Sequence, residues 1–187
     1  SNALNLYAFK QKLITDLVHL PAAPDSRGRI GIPLGLNNYE MVFFWKPLFT
    51  ALHFDVVVSP FSNRNTYLAG QATIPSDTAC FPAKLVHGHI QWLLNQKIDT
   101  IFYPCMSYNF DEKISDNHYN CPVVAYYPEV ISANIPAIRS IRFIHSYVGV
   151  DHRRAFPHKL HSILREYYPD ISLSDVKEAC DKAYASY

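Results

Sequence analysis

Cys80 and Cys105 are the side chains of this sequence best placed to do chemistry. Cys80 lies in the stretch Ile74-Pro75-Ser76-Asp77-Thr78-Ala79-Cys80-Phe81-Pro82. Ile74-Pro75 ends an extended run near residue 73, and Ser76, Asp77 and Thr78 offer N-cap oxygens. Val86, Ile90, Leu93 and Leu94 then recur on one face of a helix. Pro82 fits the first helical turn, where a missing N–H costs nothing. Cys80 is therefore expected at a helix N-terminus. The free N–H groups and positive dipole end there favour thiolate over thiol, and a thiolate is both a nucleophile and a metal ligand.

Cys105 follows Asp99–Tyr103, which reads as a strand closed by Pro104. If that strand runs parallel and close to one ending near residue 73, both sulfurs point into one crevice at the strand carboxyl ends. Cys121 is harder to place, because Pro122 is expected to open a strand over Val123–Tyr127. A cysteine that precedes a parallel strand would lie ~20 Å from one that follows its neighbour. Only an antiparallel pairing or an irregular loop would bring it close. Cys180, among charges in a terminal helix, reads as structural.

Other chemistry finds less support. No Cys-x-x-Cys is present, so neither a zinc ribbon nor a thioredoxin site is indicated. His87 and His89 stand two apart on the Cys80 helix and face different ways, so each is expected to cap or pack. A free cysteine is itself often just a small buried hydrophobe. The six glycines form neither Gly-x-Gly-x-x-Gly nor a phosphate loop, and Gly31 to Gly35 carries Pro33 in its middle. This segment alone is expected neither to bind nor to hydrolyse ATP. No serine elbow and no His-Glu-x-x-His occurs.

The elements that must position the cysteines follow from composition and periodicity. Hydrophobic residues make up 49% and aromatics 14%, enough for a real core. A net charge of +1 without a basic run argues against nucleic acid or an anionic membrane as partner. No apolar run reaches the ~18 residues that span a bilayer, no signal peptide is visible, and the cysteines read as free thiols of a cytoplasmic protein. Residues 4–20 read as a helix with Leu6, Phe9, Leu13, Leu17 and Leu20 as its stripe, followed by a linker to Gly28. Strands are expected at Ile30–Ile32, Phe54–Ser59, near 73, at 99–103 and at 123–127, with 141–145 either strand or helical turn. Helices are expected over 38–52, where Pro47 bends the helix or marks its start, 63–69, the Cys80 segment, from Tyr127-Pro128-Glu129 onward, 153–168 and 172–186.

Alternation of short apolar strands with helices implies an α/β fold. The expected architecture is a doubly wound, mostly parallel sheet of four or five strands with helical extensions at both ends. Ser1-Asn2-Ala3 reads as the scar of a cleaved expression tag. Residues 4–28 are then an N-terminal helix and linker, 29–150 the α/β domain, and 151–187 the C-terminal helices.

A set of motifs carries a family resemblance. They are Ile30-Gly31-Ile32-Pro33 with Asn38-Tyr39-Glu40, Ile74-Pro75-Ser76 with Cys80-Phe81-Pro82-Ala83-Lys84 and His87-Gly88-His89, and Phe102-Tyr103-Pro104-Cys105. Asp116-Asn117-His118-Tyr119-Asn120-Cys121-Pro122 through Tyr127-Pro128-Glu129-Val130 completes the set. Over about residues 29–135 the chain resembles the domain of unknown function in CoA-substrate-specific enzyme activases, relatives of the 2-hydroxyacyl-CoA dehydratase components. The resemblance implies a multidomain protein of anaerobes, with actin-like ATPase domains N-terminal to this segment and ATP bound only there. It also implies a [4Fe–4S] cluster as cofactor, with Cys80 and Cys105 on two ligand positions and Cys121 as a candidate third. Lys84 and His87, one turn apart, would tune that cluster by charge and hydrogen bonds, or else form solvated helix surface.

The implied role is to contribute cysteines to ATP-driven, low-potential electron transfer for 2-hydroxyacyl-CoA dehydration or reduction. Its partners would be other domains of the same chain and a dehydratase or reductase, with the fragment not catalytic alone. A second reading is a docking domain between the ATPase portion and its partner, with Tyr39, Tyr108, Tyr119 and Tyr127 as interface. A third uses Cys80 as a thiolate nucleophile with His87 or His118 as base.

Overall fold

The computed structural model describes residues 6, 8–13, 25–75, 80–107 and 121–187. Four short strands, β1 (Arg29–Ile32), β2 (Asp55–Val58), β3 (Thr100–Phe102) and β4 (Arg142–Ile144), form one sheet in the order β2-β1-β3-β4. All pairings are parallel, with Ile30 opposite Val56, Gly31 opposite Ile101 and Ile101 opposite Phe143. Each crossover is helical: α2 (Asn38–Ala51), then α3 (Arg64–Gly70) and α4 (Phe81–Asn95), then α5 (Pro122–Asn134). α6 (Phe156–Leu164) and α7 (Leu173–Ser186) follow β4, and α1 denotes the helical residues 8–13. This is the expected doubly wound α/β fold.

The sheet is buried on both faces, which is why its strands read as apolar runs without alternation. Ile30, Ile32, Val56, Val58, Phe102 and Ile144 pack with α2, α6 and α7. Ile101, Tyr103 and Phe143 pack under α4 and α5. Gly31 faces α4, and a Cβ there would meet Leu93 Cδ2 at 3.1 Å. On the α2 face, Trp45 and Phe49 set their rings 4.9 and 4.8 Å from Phe102, edge to face. The C-terminal helices belong to this core, with Phe156, Leu160, Val176 and Ala179 all buried. Ser172 caps α7 through a reciprocal box with Asp175.

Several expectations are corrected. Among the described residues no strand lies near residue 73; Gln71–Thr73 is a 3-10 turn that continues α3. Pro47 does not mark the start of its helix, which begins nine residues earlier at Asn38. α6 is shorter than expected at both ends. Leu6, Phe9 and Leu13 are 64%, 59% and 39% exposed, so that stripe is not part of the domain core; Leu17 and Leu20 lie outside the described residues.

The strand expected over Val123–Tyr127 is the first half of α5, which runs unbroken through Pro128. Val123 and Val124 are β-branched, but Pro122 sits in a first helical turn and Cys121 takes the extended N-cap conformation, with ψ 155°. The buried positions Ala125, Tyr127, Pro128 and Ile131 then form the helix face that meets α4.

Candidate functional site

In a right-handed parallel crossover the helix begins at the edge where the preceding strand ended. That single rule collects the starts of α4 and α5 and the end of β3 on the carboxyl edge. Cys80 is the N-cap of α4, exposed, with Lys84 N–H donating to its carbonyl at 3.0 Å. No side-chain cap replaces it, and Ser76, Asp77 and Thr78 lie outside the described residues. Cys105, 3% exposed, lies just beyond β3 and extends the sheet by a parallel bridge to Tyr147. Cys121 is the exposed N-cap of α5. Because it starts a helix and not a strand, the separation argued from strand length disappears. Three of the four cysteines share one edge. The fourth, Cys180, is buried in α7.

The space between Cys80 and Cys105 is furnished with hydroxyls. His87 is fully buried; its Nδ1 lies 2.8 Å from Thr73 Oγ1 and its Nε2 lies 2.6 Å from the Tyr127 hydroxyl. Thr73 donates its proton to the Gly70 carbonyl at 3.0 Å, so His87 must donate from Nδ1 and accept the Tyr127 proton at Nε2. Burial lowers His87 to about 4, which keeps it neutral. Burial, with the Cys80 sulfur adding to it, pushes Tyr127 up to about 12. Tyr103, fully buried, is pushed well above the usual phenol range by burial, then by Tyr127 and Cys105, and its hydroxyl has no hydrogen-bond partner among the described residues. Tyr127 and Tyr103 thus form the wall that links the two thiols.

Cys105 has an acidic neighbour. Its Sγ lies 3.9 Å from Glu129 Oε1, which also sits 2.8 Å from His145 Nδ1. Burial first, then the Glu129 carboxylate, raises the Cys105 thiol to about 11. Glu129 stood in the sequence only as part of a family motif and Thr73 without any role, since each meets its partner only through the crossover geometry.

His87 is therefore neither solvated surface nor a direct ligand. Both ring nitrogens are committed, which also removes it as a base for a Cys80 nucleophile; His118 lies outside the described residues. His89 is locked in the same way, with Ser59 Oγ 2.7 Å from Nδ1 and Ser62 Oγ 2.6 Å from Nε2. Ser59 Oγ also accepts the Leu34 N–H at 2.7 Å, which ties the His89 imidazole to the turn after β1. Among the described residues, no three His, Cys, Asp or Glu side chains converge into a metal site. A cavity of about 420 Å³ opens at the opposite edge, between Arg27, His53 and Lys182, and no cysteine lines it.

The thiols should differ sharply in reactivity. At pH 8 a thiol of pKa about 11 is ionised to about one part in a thousand. Iodoacetamide is therefore expected to label exposed Cys80 and Cys121 and to spare Cys105 and Cys180 until the protein is unfolded. Mass spectrometry of the native protein reads this directly, and fast labelling of Cys105 would contradict the burial described.

Fold and site together define a doubly wound parallel domain with three of its four cysteines at the strand carboxyl ends. The chain belongs to the family of the CoA enzyme activase uncharacterised domain, whose model matches residues 29–187. That match takes in α6 and α7 as well as the motif-bearing first part. No curated protein and no solved structure matches the chain. Among the described residues, no helix is long and apolar enough to cross a membrane.

Proposed function

We propose that this domain contributes Cys80 and Cys105 to an iron–sulfur site of an ATP-dependent activase. That site would serve low-potential electron transfer to a dehydratase or reductase acting on a CoA thioester. The observation that carries the reading is the placement of the two cysteines, at a helix start and just past a strand end, on one edge. The donor chemistry fits in part. The described residues offer a thiol pair with Cys121 on the same edge, but no converged third ligand. The remaining ligands would come from another domain or from the partner protein.

A [4Fe–4S] cluster, when bound, supplies the one-electron chemistry. The chain's own residues do the rest. Cys80 stands open to a partner, while Cys105 must give up its proton, for which Glu129 Oε1 at 3.9 Å is the acceptor and His145 the outlet. Tyr127, whose proton is held by His87, keeps the wall between them rigid. Lys84, one turn along α4, adds positive charge. ATP chemistry belongs to the portion preceding this segment.

The test is iron and sulfide content of the full-length protein prepared without oxygen, compared with Cys80→Ala and Cys105→Ala. Each substitution is expected to remove the bound iron while folding stability stays within ~1–2 kcal/mol. Iron-free protein with native cysteines would overturn the reading.

A docking domain without a cluster is the second reading, favoured by a different observation. Phe81, Val123, Tyr126 and Tyr147 are 60%, 42%, 53% and 45% exposed around the same edge. Of the tyrosines first expected at an interface, Tyr127 is 3% exposed and Tyr39 half-buried, while Tyr108 and Tyr119 lie outside the described residues. In that case full-length protein is iron-free and still binds its partner.

A further inference from the structure

β4 delivers the chain to the carboxyl edge beside Cys105, where Val148 N–H donates to the Cys105 carbonyl at 3.0 Å. The next stretch is Asp151-His152-Arg153-Arg154, then α6 with His158 and Lys159 in its opening turns, and all six of these side chains are exposed. Residues 151–166 hold four Lys or Arg and three His against Asp151 and Glu166, in a chain whose whole net charge is only +1.

These charges are not compensated within the domain. Asp151 faces His152 at 3.6 Å. Arg154 and Lys159 have no carboxylate partner among the described residues, whereas Lys10, Arg27 and Lys182 each meet one. Arg153 is also held in place. Its guanidinium lies 4.7 Å over the Tyr184 ring, and Tyr184 hydroxyl donates to the Val150 carbonyl at 2.7 Å. The positive end of α6 adds to the same field. Clustered like charge without internal partners raises self-repulsion and returns no packing, so its use is external. Exposed Tyr147, a few residues upstream, supplies the aromatic neighbour that interfaces favour beside Arg.

We propose that the loop 151–155 and the opening turns of α6 are a docking surface for an acidic protein face, rich in Asp and Glu. Contact there would seat the partner against the carboxyl edge, beside Cys105. The inference deepens the function proposed above, resting on it only for which edge the partner must reach. Arg153 and Arg154 would form directed, fork-shaped contacts with carboxylates, and the summed field would speed association. Nucleic acid is disfavoured because the patch is short and the chain is nearly neutral outside it. A membrane surface is disfavoured because the exposed face of α6 carries no large apolar side chain.

The test uses the full-length protein and a Glu-rich peptide that carries one photocrosslinker. Crosslinks are expected within residues 147–159. Affinity should fall at least about tenfold in Arg154→Glu/Lys159→Glu, and should fall again between roughly 0.01 and 0.15 M salt. Both residues are exposed and unpaired, so the variant should fold, and a thermal melt checks it. Lys177→Glu, on exposed α7 surface, should leave binding unchanged. Crosslinks elsewhere, or affinity indifferent to the double reversal, would overturn the proposal. So would a DNA duplex or phosphatidylserine vesicles that bind tighter than the peptide through the same two residues. Iron content should be the same in this variant as in the parent, so failure of docking and failure of the cluster reading are told apart.

Discussion

Gly88→Ala is expected to destabilise the domain by at least about 3 kcal/mol, the largest effect of any single methyl group added to it. The gain from replacing a mid-helix glycine by alanine is only ~1 kcal/mol. Against it stands a Cβ that would lie 1.7 Å from the Thr66 carbonyl oxygen and 2.5 Å from its carbon. Those are backbone atoms of α3 and cannot rotate aside. The reciprocal approach is also too close for a side chain, since a Cβ on Gly70 would fall 2.3 Å from the Gly88 nitrogen. α3 and α4 therefore touch backbone to backbone, and the methyl group must push them apart. Doing so would pull Thr73 from His87 and tilt the helix that presents Cys80. Urea denaturation measures the loss. Gly31→Ala meets only side-chain methyl groups of Leu93 and Ile98, at 3.1–3.3 Å, and should cost less, so equal midpoints for the two variants would refute the argument.

The second large effect is acid sensitivity. His87 and His89 are both buried and both lowered by burial to about 4 from an ordinary 6.5. In the unfolded chain they bind protons below about 6.5, whereas in the folded protein they resist until about 4. The unfolded state therefore holds more protons in that window. Stability is complete above pH 6.5, falls as pH drops through the window, and flattens below about 4. Each histidine accounts for up to about 3 kcal/mol at 1.36 kcal/mol per unit. Together that is comparable to the whole stability of a domain this size, commonly 5–15 kcal/mol. Urea midpoints measured from pH 7.5 to 4 should fall steeply below 6.5, and His89→Gln should remove about half of the slope. A flat profile would mean that the imidazoles are solvated.

Much of this architecture was legible in the residues themselves. β1 and β2 are short β-branched runs with sharp ends, and α4 announces itself by Val86, Ile90 and Leu93, all fully buried. What failed was local ambiguity and distant contact. Val123-Val124 favours a strand by propensity, and Pro122 favours a helix start; packing against α4 decided for the helix. Cys121 was consequently hard to place beside Cys105 without an antiparallel strand or an irregular loop. Thr73 and Glu129 matter only through partners 14 and 24 residues away, and no spacing rule spans such gaps before the fold is known. The hydroxyls of Ser59 and Ser62 on His89 belong to the same class of long-range pairing.

The strand order has a consequence for how the chain is made. β1 sits in the interior of the sheet, yet the strand on its far side, β3, pairs Ile101 with Gly31 some seventy residues later. At ribosomal speeds of 5–20 residues per second, β1 and β2 can pair while β3 is still unmade for several seconds. During that interval the future centre of the sheet is an open edge, a row of free backbone donors and acceptors able to recruit another strand. Folding during synthesis is thus safest if the β1–β2 unit is shielded until α4 and β3 emerge. A strand interior to the finished sheet is thus an open edge while the chain is being born.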